Sequence, residues 1–403
     1  MPDPIAPLAL LPTLASELQN LIFSFCNMSS LAVLCRLNKY WYARTMPLLW
    51  GEIDFVRECN SDDPTEYSRH FFAVCDALMD EKPERWAILA ASVRKLNLGR
   101  LHGINMVRDG EWDGSDDYIF FDSWAPVDRR NVLDVVAQFT NLDTLSVYVK
   151  NWWGYTQLAA SGKALAQSLT NLKSLKTGGQ MSTDVLLGLL ARPENLQHLS
   201  LINLMHTPGQ DNGPDSIVFL SDIYDRFTSL KSLHLCKLAD LDGKLSDNDN
   251  DEEDSEDEGE RKYDSCMRWK FPRESEVSLL KEWAALLRHC SSTLEVLTLE
   301  NRYLCGRRYN DEGLGINPGV THPAKYGAFS IGQSRKILFP VLSGEWPKLR
   351  QLTLIGMGEV EDVKQALRHL RPQVEIEQRL AGIEMIGGDV TPEQISTPRE
   401  FYD

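Results

Sequence analysis

The chain has 403 residues, of which 43% are hydrophobic and 25% charged, a composition typical of globular proteins that bury a large core. No apolar run approaches the length needed to span a bilayer, so the sequence predicts no membrane segment. The formal net charge is −16, and ten acidic residues within residues 247–260 leave −6 for the rest of the chain. A field of that sign repels nucleic acid and anionic lipid, which argues against both as partners.

The first predicted element is a helix that begins near Ser16, after a flexible start over residues 1–13. Ser16-Glu17-Leu18-Gln19 fits a capping box, with Ser16 as the N-cap and Gln19 reaching back. Apolar residues then recur at helical spacing, at Leu18, Leu21, Ile22 and Phe25.

A second helix is predicted after residues 27–30 and is expected to end near Met46-Pro47, before a strand over residues 52–55. Its apolar positions are Leu31, Leu34, Leu37 and Trp41. A module of about 35 residues is too small to bury a core of its own. It is therefore predicted to pack on the rest of the chain or on a partner.

The phrase L-x-x-L-x-L recurs along the rest of the chain. Its seven copies begin at Val93, Leu142, Leu172, Leu196, Leu230, Leu294 and Leu349. Two apolar residues separated by one polar residue suit a strand with one buried face. The apolar residue three positions earlier is predicted to fill the core where the chain enters that strand.

Amphipathic helices are predicted between copies, over residues 128–139, 276–289 and 359–370. Repetition of a strand and a helix predicts an α/β fold whose units stack into a leucine-rich-repeat horseshoe. The copies lie 24 to 64 residues apart, whereas the regular period is about 20–29 residues, so insertions are expected. The alternative is a plain α/β sheet with leucine-rich strands.

Two insertions stand out by composition. Residues 109–124 carry five aromatic side chains, which are candidates for partner contacts or for sealing the loop onto the core. Residues 247–260 repel one another too strongly to fold, so a disordered insertion is expected over about 243–264. Ser255, followed by three acids, is a candidate phosphorylation site for an acidophilic kinase.

Residues 14–50 resemble an F-box. The resemblance rests on Glu17-Leu18 with Ile22-Phe23-Ser24, on Asn38-Lys39 with Trp41, and on Pro47-Leu48-Leu49-Trp50. Leu14-Ala15 stands where the family usually has Leu-Pro. Together with the repeats, this makes the chain similar to F-box/leucine-rich-repeat proteins of the irregular fungal type. The expected organisation is an F-box over 14–50, repeats over 51–380 and a tail over 381–403.

The resemblance implies a substrate-recognition subunit of a Skp–cullin–F-box ubiquitin ligase. Its F-box would dock on a Skp-type adaptor, and through it on a cullin–RING ligase, while the repeats bind a protein target of unknown identity. The residues expected to contact the adaptor are Leu14, Leu18, Ile22, Phe23, Leu31, Leu34 and Trp41.

Two alternatives remain open from the sequence. The same apolar side chains would also suit a cap that only covers the first repeat. A function of another class is an acidic leucine-rich-repeat binding protein or chaperone for basic partners, without a role in a ligase.

In a horseshoe, the strand residues that flank the buried leucines line the concave face. These residues are polar and tilt slightly basic, which predicts an acidic or phosphorylated target segment, although an ordinary solvated sheet face would look similar. The candidates for target contact are Lys95, Tyr148, Lys176, His198, His234 and Glu300.

Motifs for catalysis and metal binding are missing from the sequence. Ser330 lies in an A-x-S-x-G phrase, but a loop composition precedes it where a buried strand is required. The eight cysteines form no C-x-x-C pair, so they are expected to be reduced thiols in a cytoplasmic or nuclear protein. We therefore expect a protein that is not an enzyme and has no cofactor or metal site.

Overall fold

A computed structural model describes residues 14–55, 64–102, 132–150, 159–181, 183–206, 221–239, 273–305, 328–357, 367, 374–379 and 383–385. The aromatic segment 109–124, the acidic segment 247–260 and Ser255 lie outside these residues, as do the predicted flexible start and most of the tail. None of the helices within them combines the length and the hydrophobicity needed to cross a bilayer.

Three short helices open the described chain: α1 (Ser16–Ser24), α2 (Met28–Leu37) and α3 (Lys39–Leu49). The prediction of one helix from α2 to Met46 is wrong, because Asn38 interrupts it. Asn38 has an extended backbone, and its side chain accepts a hydrogen bond from the Trp41 amide at 3.1 Å. Asn27 caps α2 in the same way, accepting from the Ser30 amide at 2.8 Å. Each asparagine thus satisfies a helix amide that would otherwise lack a partner.

The predicted capping box at Ser16 is also wrong. The N-cap of α1 is Ala15, which makes no side-chain cap. Ser16 is the first helical residue, and its hydroxyl accepts a hydrogen bond from Arg44 at 3.0 Å. Gln19 does reach back, but its Nε2 donates to the Leu14 carbonyl at 2.8 Å instead of accepting from the N-cap amide.

The described strands form one parallel sheet in which β1 to β9 follow each other in sequence order. The tenth strand pairs with β7. The strands are β1 (Glu52–Asp54), β2 (Lys95–His102), β3 (Thr144–Lys150), β4 (Ser174–Met181), β5 (His198–His206), β6 (Ser232–Ala239), β7 (Val296–Cys305), β8 (Gln351–Ile355), β9 (Glu375–Arg379) and β10 (Ile383–Met385). The strand predicted at each of the seven copies is confirmed, as is the strand after the N-terminal helices.

Helices occupy several of the connections: α4 (Pro64–Glu81), α5 (Pro83–Ser92), α6 (Val132–Val136), α7 (Ala159–Ser168), α8 (Thr183–Leu189), α9 (Arg273–Cys290) and α10 (Ala328–Leu342). The helix predicted over 276–289 is confirmed as α9. The helix predicted over 128–139 ends earlier, at Val136. The helix predicted over 359–370 lies largely outside the described residues. The protein is thus an α/β protein built on a parallel sheet.

The core lies between the inner face of the sheet and the helices. The three apolar positions of each copy are buried, so that Leu230, Leu233 and Leu235 are all fully enclosed. Helix residues such as Trp283 and Leu342 belong to the same cluster. Since aligned copies place their leucines in register, as in the pair Leu233 and Leu297, each unit covers the apolar edge of its neighbour.

Repeated backbone hydrogen bonds tie each unit to the one before it. Where the chain enters β3, the amides of Asp143 and Thr144 both donate to the Arg94 carbonyl, at 2.8 and 3.1 Å. The same paired donation recurs at every strand from β2 to β8. Three asparagines add a side-chain rung, in which Nδ2 donates to a carbonyl of the preceding unit: Asn141 to Ala91, Asn171 to Thr140 and Asn195 to Thr170.

Helices α7 and α8 approach closely because two glycines face each other. A Cβ added to Gly188 would lie 2.3 Å from the Gly162 carbonyl oxygen, closer than any real contact. We expect Gly188→Ala to lower the free energy of unfolding by about 1–3 kcal/mol through overpacking. The matched control is Gly332→Ala in α10, where the added Cβ meets nothing within 4 Å.

Gly332→Ala should instead stabilise the protein by up to about 1 kcal/mol, because alanine favours a helix over glycine. Urea unfolding of the two variants measures both effects. Changes of the same sign and size would contradict the close approach of α7 and α8.

The five cysteines whose surroundings are described are free thiols, as expected: Cys26, Cys35, Cys75, Cys236 and Cys290. Burial raises the pKa of the Cys75 and Cys290 thiols to about 12. Since the thiolate is the reactive form, both should resist alkylation in the native protein near neutral pH, whereas the half-buried Cys26 and Cys35 should react. Mass spectrometry of the alkylated protein checks this, and native labelling of Cys75 as fast as that of Cys26 would contradict it.

Candidate functional site

The three N-terminal helices pack around a small core of their own. Phe23, Leu31 and Trp41 are buried together in a cluster separate from the main core. The rings of Phe23 and Trp41 meet edge to face, with centroids 5.9 Å apart. Leu34 and Leu49 are partly buried against this cluster. These contacts hold α1, α2 and α3 as one unit, which we call the helical module (residues 14–50).

Polar contacts complete the packing of α1 on α3. The Tyr40 hydroxyl donates to Gln19 Oε1 at 2.9 Å, and Gln19 is almost fully buried. Inside α3, the buried Thr45 hydroxyl donates to the Trp41 carbonyl at 2.8 Å and lies 2.9 Å from Cys35 Sγ. The module is therefore a defined scaffold that fixes the direction in which its remaining side chains point.

The helical module is joined directly to the sheet. Trp50 follows α3, and its ring lies 5.8 Å from that of Phe71 in α4. The backbone carbonyl of Gly51 then accepts hydrogen bonds from the amides of Arg94 and Lys95, where the chain enters β2. The Arg85 guanidinium of α5 sits 5.7 Å from the centroid of the Tyr42 ring in α3. Any protein bound to the module would thus be held at the β1 end of the sheet.

An apolar stripe on α1 faces away from both cores. Leu18, Leu21 and Ile22 of α1 and Phe25, its C-cap residue, lie at positions i, i+3, i+4 and i+7, which share one face of a helix. Their exposed fractions are 50%, 55%, 38% and 83%. An amphipathic helix normally turns this stripe towards its own core. Here the opposite side of α1, with Phe23 and Gln19, is the buried one.

Exposed apolar side chains are concentrated in the helical module. Of the thirteen large apolar residues that are exposed in the described chain, ten lie between residues 14 and 48. Besides the stripe of α1 they are Leu14, Met28, Val33, Leu37, Tyr40 and Leu48. The other three, Val74, Ile88 and Leu187, are dispersed over α4, α5 and α8. Such a concentration on a single small module makes it the candidate interaction surface of the described chain.

The structure divides the seven residues predicted to contact an adaptor. Phe23, Leu31 and Trp41 form the buried cluster, and Leu34 is partly covered by it. Leu14, Leu18 and Ile22 are exposed. Leu21 and Phe25, which are also exposed, were not among the predicted contact residues, although their helical spacing with Leu18 is visible in the sequence.

The outer face of the sheet is polar and runs in rows across the strands. One row joins Asn97, Ser146, Lys176, Ser200, His234, Thr298 and Thr353 in register. Lys176 and His198 are exposed, and Tyr148 is half-buried. The pairing of β6 with β7 brings together two of the six predicted contact residues. His234 Nε2 lies 2.9 Å from Glu300 Oε2.

The prediction that this face carries a slight excess of basic side chains is wrong for the described residues. Strand β1 places Glu52 in line with Lys95, and their charged groups lie 3.5 Å apart. Strand β9 adds Glu375 and Glu377 at the opposite end of the rows. Carboxylates on the described part of this face therefore outnumber its two lysines, Lys95 and Lys176, so the face gives no preference for an acidic target.

One polar chain crosses three strands on this face. Ser200 Oγ on β5 lies 3.0 Å from His234 Nδ1 on β6, and His234 Nε2 contacts Glu300 on β7. Cys236 stands directly opposite Glu300 in the pairing of β6 with β7. Both Cys236 and Glu300 are buried, with 2% and 5% exposure. Cys236 was not among the predicted site residues, because nothing in the sequence aligns it with a residue 64 positions away.

Comparisons with known proteins give no further assignment: no family model and no curated protein matches this sequence.

Proposed function

We propose that this protein is the substrate-recognition subunit of a Skp–cullin–F-box ubiquitin ligase. In this proposal the helical module is an F-box that docks on a Skp-type adaptor, and the sheet with its helices is a leucine-rich-repeat solenoid that holds a protein target. The protein would act in the cytoplasm or nucleus and would contribute no catalytic group, because its partners carry the transfer of ubiquitin.

The observation that carries the proposal is the exposed stripe on α1. Moving one leucine- or phenylalanine-sized side chain from water into an apolar contact is worth about 1.5–3 kcal/mol. Four such side chains at helical spacing, on a scaffold already fixed by Phe23 and Trp41, suit a partner that offers an apolar groove to a helix. The residues from Glu17 to Trp50 that resemble an F-box are those that build this module.

The strand order supports the assignment of the larger part as a solenoid. In an open doubly wound α/β sheet, the order of the strands reverses at a switch point. Here β1 to β9 are added one after the other, each tied to the last by the same amide pairs. Sequential stacking of this kind is the property that defines repeat proteins.

The test is affinity purification of the full-length protein, followed by identification of its partners by mass spectrometry. A Skp-type adaptor and a cullin should co-purify with the wild-type chain, and both should remain when residues 247–260 are deleted. Loss of the main partner on that deletion would favour the alternative, an acidic binding protein or chaperone for basic partners. Purification without any Skp-type adaptor would reject the proposal.

A further inference from the structure

Three side chains that commonly bind metals converge on the outer face of β6 and β7. His234 and Cys236 are two residues apart on β6, so they point to the same side of the sheet. Glu300 on β7 pairs with Cys236. The candidate ligand atoms of the three residues all lie within 4.8 Å of one another, and this is the one such group among the described residues.

The donor set selects the kind of ion. An imidazole nitrogen, a thiolate and a carboxylate are all ligands of Zn²⁺, whereas Mg²⁺ and Ca²⁺ prefer oxygen alone. The near-complete burial of Cys236 and Glu300 adds a second argument. Burial holds the thiol and the carboxylate in place beside His234, and low exposure to water strengthens the attraction of a carboxylate for a cation.

We propose that His234, Cys236 and Glu300 form a zinc site. The site is independent of the proposed ligase function, because it lies on β6 and β7 and uses no residue of the helical module.

The distances between the ligand atoms fit a small ion with modest adjustment. His234 Nε2 and Glu300 Oε2 are 2.9 Å apart, and two such atoms bound to one tetrahedral zinc lie about 3.3 Å apart. A thiolate on the same ion lies about 3.5 Å from each of them. Cys236 Sγ, within 4.8 Å of the other two atoms, can reach that position by a side-chain rotation.

Ser200 is placed to orient the histidine. A metal-binding imidazole usually donates its other N–H to a fixed acceptor, which sets the tautomer. Ser200 Oγ lies 3.0 Å from His234 Nδ1 and can accept that hydrogen. In the absence of metal the same hydroxyl can donate to Nδ1, while Nε2–H donates to Glu300. Binding of zinc therefore moves the imidazole proton from Nε2 to Nδ1, reverses the hydrogen bond to Ser200 and releases the Cys236 thiol proton to solvent.

Three protein ligands leave the fourth position of a tetrahedral zinc open. A water molecule can fill it.

The test is a zinc titration of the metal-free full-length protein, monitored by competition with a chromophoric chelator. Wild type should bind one equivalent in the competed site. His234→Ala, Cys236→Ser and Glu300→Gln should each weaken binding by more than ~100-fold, and Ser200→Ala by ~10–100-fold. His198→Ala and Cys26→Ser are the controls, because they remove a described histidine or cysteine outside the group, and they should leave the affinity unchanged.

Cobalt and thermal unfolding supply readouts that do not rest on affinity alone. Cobalt in the site should give a thiolate-to-metal charge-transfer band that Cys236→Ser removes. Zinc should raise the melting temperature of wild type but not that of Glu300→Gln, a nearly isosteric change that keeps a hydrogen-bond acceptor for His234. Circular dichroism checks the folding of each variant. If Cys236→Ser misfolds, the separate variants Glu300→Gln and Ser200→Ala still test the site. Equal zinc affinity in wild type and Glu300→Gln, or cobalt binding without the thiolate band, would overturn the assignment.

Discussion

The double substitution Leu18→Glu and Phe25→Glu is expected to weaken binding to a Skp-type adaptor by at least ~100-fold. The two side chains are 50% and 83% exposed, and burial of such groups contributes about 1.5–3 kcal/mol each, while every 1.4 kcal/mol is about a tenfold change in affinity. A charge in the apolar contact adds a desolvation cost. Calorimetric titration of the purified protein with the purified adaptor measures the loss.

The control for this prediction places the same charge on apolar residues outside the helical module. Ile88 and Leu187 are exposed on α5 and α8, so the double variant Ile88→Glu and Leu187→Glu should bind the adaptor as wild type does. Neither pair belongs to a buried cluster, so both variants should melt near the wild-type temperature. Undiminished binding by the α1 variant would show that another surface holds the adaptor.

The largest effect on stability is expected from Lys237→Met. Lys237 on β6 and Glu276 on α9 form an ion pair in which both side chains are nearly inaccessible, at 3% and 1%. Removing one partner of a buried pair leaves an uncompensated charge and costs about 3–5 kcal/mol. Replacing both, with Lys237→Met and Glu276→Leu, should recover most of that loss because no charge is left behind.

Urea unfolding measures the free energies of these variants. The control is Lys95→Ala, which breaks an exposed pair with Glu52 and should cost less than about 1 kcal/mol. If Lys237→Met were as mild as Lys95→Ala, the buried pair would not hold α9 to the sheet. A double variant less stable than the single one would indicate that the pair acts mainly through packing.

Much of the α/β fold was predictable from the sequence. In each L-x-x-L-x-L copy, the second and third apolar positions had the two-residue period of a strand, and the apolar residue before them entered the core as expected. The asparagine rungs were also visible in principle, because Asn141, Asn171 and Asn195 each precede a first leucine. Their partners were not predictable, since each lies on the preceding unit across a connection of variable length.

The candidate surfaces were predictable only in part. The spacing of Leu18, Leu21, Ile22 and Phe25 showed that α1 has an apolar face, but local sequence does not tell whether that face turns inward. The direction of that face depends on which side of α1 the other helices cover. Leu31 and Trp41 pack on the side that carries Phe23, so the apolar stripe stays exposed. Ser16 matched a capping pattern, yet the helix began one residue earlier than that pattern required.

The outer face of the sheet shows the same limit. His234 and Glu300 were candidates as separate residues, but their contact depends on the pairing of β6 with β7 across a connection of more than fifty residues. The acidic residues Glu52, Glu375 and Glu377 came from β1 and β9, strands whose register no pattern in the sequence had fixed. Register across long connections is set by tertiary packing and not by local propensity.

The central claim is that a foreign helical surface covers the exposed stripe of α1. Amide hydrogen exchange of the full-length protein, with and without a purified Skp-type adaptor, tests it most directly. We expect exchange to slow in α1 (Ser16–Ser24) and α2 (Met28–Leu37) when the adaptor is added, while strands β3 to β8 exchange at unchanged rates. A stable complex that leaves α1 unprotected, or protection confined to the sheet, would contradict it.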